Sequence, residues 1–104
     1  MLNNFWREFH TAELEYEVAE LVDLIEKAVQ TQSTPQRRML LGETLLCISG
    51  SNVPCQACCL ERVARDVIQN IRNKAQRVNS HEEFSRLRRE LKQERKELVV
   101  FIAS

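Results

Sequence analysis

Cys55-x-x-Cys58 is the sharpest chemical pattern in this chain. Pro54 comes just before it, and Pro at a first helical position puts both thiols in the opening turn of a helix. There the helix dipole and free amides lower a thiol's pKa, and the two-residue gap lets the sulfurs form or exchange a disulfide. The same pair would supply two zinc ligands if Cys47 or Cys59 gave a third and a histidine a fourth. Against zinc, the sequence holds neither a second Cys-x-x-Cys nor a His-x-x-x-His pair; His10 and His81 are isolated and read as ordinary helix residues. A structural reading makes Cys47 and Cys59 small core residues, with Cys55 and Cys58 packing at a helix start. The expectation is no bound cofactor and no metal, with redox or metal use of these cysteines as the alternative.

Arginine is the second chemical resource. Arg62, Arg65 and Arg72 recur at helical spacing in one segment, and Arg88, Arg89, Lys92, Arg95 and Lys96 crowd another. Guanidinium suits phosphate, and Gln69, Asn73 and Gln76 could bond sugars or bases, which would make a double-stranded RNA face read by shape. Seven acids share residues 61–104 with eleven basic side chains, and no aromatic residue is interleaved with the basic ones. The alternative is a solvated face, or pairing with the opposite charge of residues 1–33, where seven acids face only Arg7 and Lys27.

The third resource is apolar surface. Leu98-Val99-Val100-Phe101-Ile102 is greasy all round a helix, more than one bundle core can cover. If the first and last helices run antiparallel, it lies beside Phe5, Trp6 and Phe9, and that pole becomes a contact site. Phe5, Trp6, Phe9, Leu98, Val99, Phe101 and Ile102 are therefore the expected dimer or partner contacts.

The elements that must position these residues are helices. Gly and Pro number four in 104 residues, β-branched residues are scattered, and no repeat or low-complexity tract occurs. A first helix over 4–31 carries the stripe Leu14, Val18, Leu21, Val22, Ile25, Ala28 and Val29, extended toward the N-terminus by Phe5, Trp6, Phe9, Ala12 and Tyr16. Glu13, Glu17 and Glu20 form a like-charged row on another face, which calls for an opposite charge from elsewhere. Thr34-Pro35 opens a second helix over 35–48, apolar around much of its circumference, and Gly42 within it implies close packing. A third spans 54–78, with Leu60, Val63, Ala64, Val67, Ile71, Ala75 and Val78 inward. Ser80 and Glu83 box the start of a fourth over 81–102, whose heptad of Phe84, Leu87, Leu91 and Leu98 is interrupted once by Glu94. Short links predict a single all-α domain over 1–104, an antiparallel up-down-up-down four-helix bundle, and a dimer.

Trp6, His10-Thr11-Ala12, Thr34-Pro35 and Pro54-Cys55-x-x-Cys58 together resemble, over roughly the first 60 residues, the flavin-dependent sulfhydryl oxidases. The resemblance implies a four-helix core holding FAD beside the Cys-x-x-Cys. It departs from the family where His-Asn-x-x-x-Asn flavin contacts belong, since the chain there reads Leu91-Lys92-Gln93-Glu94-Arg95.

Charged residues are 29% and hydrophobic ones 43%. The longest apolar run, Leu98 to Ala103, falls far short of the ~20 residues that span a bilayer. Residues 1–10 lack a signal peptide's apolar stretch, so the expected location is the cytoplasm, with the nucleus open. No Ser/His/Asp set, phosphate-cradling Gly loop or paired-carboxylate cleft can be assembled from these residues. The leading expectation is a non-catalytic, homodimeric interaction protein with a protein partner. Nucleic-acid binding is the first alternative and thiol oxidoreduction the second.

Overall fold

The computed structural model describes residues 4–49 and 59–103. They form four helices, α1 (Asn4–Thr31), α2 (Pro35–Ser49), α3 (Leu60–Arg77) and α4 (His81–Ala103), and no strand. The bounds follow from local chemistry. At α2 the Thr34 hydroxyl accepts from the Arg37 amide at 3.3 Å, and Pro35 occupies the first helical position. At α4 the Ser80 hydroxyl accepts from the Glu83 amide at 3.2 Å, while the Glu83 carboxylate accepts from the Asn79 amide at 3.0 Å. That is a capping box whose return bond lands one residue upstream of the cap. The predicted start of the third helix at Pro54 lies outside the described residues.

One core runs through all four helices. Leu14, Val18, Leu21, Val22, Ile25 and Ala28 of α1 meet Leu41 and Leu45 of α2, Leu60, Ala64, Val67 and Ile71 of α3, and Phe84, Leu87, Leu91 and Leu98 of α4. Burying a side chain of this size stabilises the fold by about 1.5–3 kcal/mol. α1 is central, packed against α4 and α3, while α2 rests mainly on α3. Gly42 is buried, as its place in an apolar helix implies. Met39 and Leu40 are exposed, however, so α2 is not buried on every side.

The helix directions differ from the expected alternation. His10 meets His81, Glu13 meets Arg88 and Glu17 meets Arg95, so residue numbers rise together and α1 and α4 are parallel. Arg7 and Thr11 share a groove with Arg72 through Asn79, which makes α3 antiparallel to α1. α2 doubles back from α1 across Gln32–Thr34, and Arg38 near its start pairs with Glu61 near the start of α3. The order is therefore up-down-down-up. Alternation assumed a short link after α2, but Ser49 and Cys59 are ten peptide steps apart, a reach of roughly 33 Å. The fifteen residues of α2 measure only about 22 Å, so a link of that length can return to the end where α2 began.

Candidate interaction site

The overhanging start of α1 presents the chain's most exposed aromatic surface. His10 is level with His81, the first residue of α4, so residues 5–9 project roughly 7 Å beyond that helix. α4 does not extend past His81 to cover them, and Phe5, Trp6 and Phe9 are 68%, 43% and 49% exposed. The inward stripe of α1 thus stops at Leu14, and Tyr16 is also exposed. The rings nevertheless order one another. Phe5 and Trp6 meet edge to face at 5.3 Å between centroids, and Trp6 and Phe9 do so at 6.1 Å. Such pairs contribute about 0.5–1.5 kcal/mol each, enough to fix a geometry before any partner arrives.

Behind this cluster lies a pair of imidazoles that sequence reading treated as unrelated. His10 Nε2 and His81 Nδ1 are 2.9 Å apart, one donating and the other accepting. The His10 ring stacks on Phe84 at 4.7 Å and on Trp6 at 6.2 Å. Trp6 also meets His81 edge-on at 5.8 Å. The residues are 71 positions apart, and only the parallel pairing of α1 with α4 brings them together.

The rows of charge on α1 and α4 meet in the same register. Arg88 pairs with Glu13 at 3.1 Å and Arg95 with Glu17 at 3.3 Å. Glu17 is 5% exposed, and its Oε2 is buried without an aligned hydrogen bond, so charge attraction alone compensates it. Pairing with the acidic row thus occupies two of the candidate phosphate ligands. Arg62, Arg65 and Arg72 are exposed on α3, Arg89 and Lys96 are exposed on α4, and Lys92 is half-buried. These do not make one track. Arg72 opens with Arg7 and Arg77 onto a groove of about 710 Å³ between α1 and α3, floored by Leu14, Val18, Ala75 and Val78. Arg88, Arg89 and Lys92 line a separate hollow of about 430 Å³ beside His10 and Glu13.

The apolar end of α4 lies far from the α1 aromatics, because parallel helices put their starts at one end and their finishes at the other. Leu98 is fully buried and cannot be a contact residue. Phe101 and Ile102 are half-buried against the core, and the Arg37 guanidinium sits 4.3 Å above the Phe101 ring while donating to the Phe101 carbonyl at 2.9 Å. Val99 and Val100 are exposed, as are Met39 and Leu40 of α2 at the same end. Sequence reading missed Arg37; its signal was a cation at the start of a helix that lies against a neighbour's final carbonyls.

Among the cysteines, Cys55 and Cys58 lie outside the described residues, so the redox and metal readings of that pair find no geometry here. Cys47 is an exposed thiol on α2, and Cys59 is half-buried just before α3. Cys47 borders a hollow of about 700 Å³ with Ile48, Arg86, Arg89, Glu90, Gln93, Glu94 and Glu97. Burial there raises the Glu94 carboxyl to about 7, with Lys74 opposing the rise and Glu90 and Glu97 adding to it. Among the described residues no three His, Cys, Asp or Glu side chains gather as a metal-binding group, and no helix is long and apolar enough to cross a membrane.

No protein-family model, curated protein or solved structure matches the chain. The likeness to flavin-dependent sulfhydryl oxidases therefore rests on its scattered residues alone.

Proposed function

We propose that this chain is a non-catalytic helical interaction protein that homodimerises through the overhanging start of α1 and binds a protein partner. The observation that carries the reading is the exposed and mutually ordered set Phe5, Trp6 and Phe9. Large aromatic groups fixed outside a core are the usual anchors of protein contacts. The α1/α3 groove beside them is an apolar channel rimmed by Arg7, Arg72 and Arg77 against Glu15, and it suits an acidic amphipathic helix of the partner. The ion pairs of Arg88 and Arg95 weigh against nucleic acid as the main ligand, because they leave the remaining cations on separated grooves.

Light scattering across a sizing column tests the dimer. The wild type should elute at twice 12.2 kDa, and the double variant Phe5→Ser/Phe9→Ser at 12.2 kDa. Both side chains are exposed and lie outside the core, so the variant should lose no more than its two ring pairs, about 1–3 kcal/mol, and keep its helical circular dichroism. A monomeric wild type at high concentration would sink the dimer reading. Nucleic acid copurifying with the protein, lost when Arg65, Arg72 and Arg89 become Glu, would replace it with the RNA reading.

A further inference from the structure

His10 and His81, the chain's two histidines, stand with facing ring nitrogens 2.9 Å apart on the aromatic end of the molecule. We propose that they chelate a divalent transition metal, and that the same two histidines of a second copy complete its coordination; this rests on the dimer reading above. Imidazole is a good ligand for zinc, copper and nickel, and metal–nitrogen bonds are about 2.0–2.1 Å long. Two such bonds at a right angle put their nitrogens about 2.9 Å apart, the spacing now held by a shared N–H. Metal binding breaks that hydrogen bond, and the donor ring takes its proton on its other nitrogen by exchange with solvent. A tetrahedral angle needs about 3.3 Å, an opening of about 0.4 Å.

The two ligands are held before metal arrives. Phe84 and Trp6 stack on the His10 ring, and Trp6 also braces His81 edge-on. Little rotamer freedom is then left to lose on binding. The two ring planes stand 83° apart with centroids 4.9 Å from each other, so a metal off the line joining the nitrogens cannot lie in both planes. One ring must tilt, and the exposed His81, braced edge-on and not stacked, is the freer to do so. His81 is exposed and His10 half-exposed, so the pair can be reached from solvent. One chain offers only two ligands here, whereas zinc takes four. A second copy docked on Phe5, Trp6 and Phe9 would bring two more imidazoles to the same place.

The test uses untagged full-length protein titrated with Co²⁺, whose visible absorbance reports tetrahedral nitrogen ligation, and with Zn²⁺ in competition. Saturation at one metal per two chains, at dimer mass, is the expected result. His10→Phe keeps a ring between Trp6 and Phe84 but removes a ligand, and His81→Gln removes the other; each should abolish the Co²⁺ signal. Binding that survives both substitutions places the metal elsewhere on the chain and overturns the proposal. One metal per chain without a rise in mass overturns the shared site. A dimer that binds no metal overturns this inference and leaves the dimer reading standing, whereas a monomer with and without metal removes both.

Discussion

Replacing Glu94 with Gln should stabilise the protein in a way that depends on pH. Glu94 takes a core-facing heptad position of α4, half-buried, and its carboxyl is held at about 7 against an ordinary 4.5. The folded chain thus holds a proton there that the unfolded chain has released, so stability falls as pH rises from 4.5 to about 7. The penalty is absent below that window and complete above it. Full desolvation would make it about 3 kcal/mol, at about 1.4 kcal/mol per tenfold change in proton affinity. Glu94 is only half-buried and faces an open hollow, so screening brings this to about 1–2 kcal/mol. The Glu94→Gln change keeps the side chain's volume and removes its charge. At the ~2.1 cal/mol/K of unfolding entropy per residue typical of domains, the Tm should rise by about 5–9 °C at pH 8. At pH 4 it should not move. Lys74 opposes the shift, so Lys74→Met should deepen the loss of stability toward high pH. Calorimetry at pH 4, 6 and 8 decides. An equal gain at pH 4 and pH 8 would mean that packing and not charge is responsible, and the reasoning would fail.

Other outcomes can be checked with the same preparations. Arg95→Met strands the buried Glu17 carboxylate and, with Arg95 itself partly exposed, should cost about 1–3 kcal/mol in urea unfolding, whereas Glu17→Leu/Arg95→Leu together should be close to neutral. Arg37→Ala removes both the bond to the Phe101 carbonyl and the cation over its ring, for about 1–2 kcal/mol; Arg37→Lys should recover little, because a point charge cannot both fork and stack. By hydrogen exchange, the last turn of α4 should lose protection in the Arg37→Ala variant before α1 does.

Much of this fold was legible because its signals are local. The α1 stripe from Leu14 to Val29, the Thr34-Pro35 start and the Ser80/Glu83 box each depend on residues within a turn or two, and α1 spans the predicted 4–31. The buried heptad of α4 and its charged interruption at Glu94 were equally plain. The N-terminal continuation of the α1 stripe is not part of the core: Phe5, Trp6 and Phe9 keep the helical spacing but are exposed, as the expectation of a contact surface there requires. Periodicity reports which residues share a face and cannot report whether another helix reaches it. Met39 and Leu40 fail for the same reason on the outer side of α2.

Helix direction was the larger error, because one sign decides several sites together. An antiparallel α1 and α4 would put Trp6 beside Phe101 and keep His10 far from His81. The parallel arrangement separates the two apolar ends, buries Leu98, and lays Glu13 and Glu17 against Arg88 and Arg95. The charge pairing expected from sequence is therefore present, but for a different reason: opposite rows at similar helical spacing can match in either direction. Apolar contacts are non-directional as well, so neither stripe nor charge row fixes polarity. Connection length does, and the stretch from Ser49 to Cys59 was read as half loop and half helix. A variant that shortens it tests the point directly. Deleting Gly50 through Val53 leaves six peptide steps, a reach of about 20 Å, less than the length of α2. Such a chain cannot return α3 to the start of α2, and the Arg38–Glu61 pair should be lost with cooperative unfolding. A variant that unfolds as steeply as the wild type would show that the down-down pair of α2 and α3 is wrong.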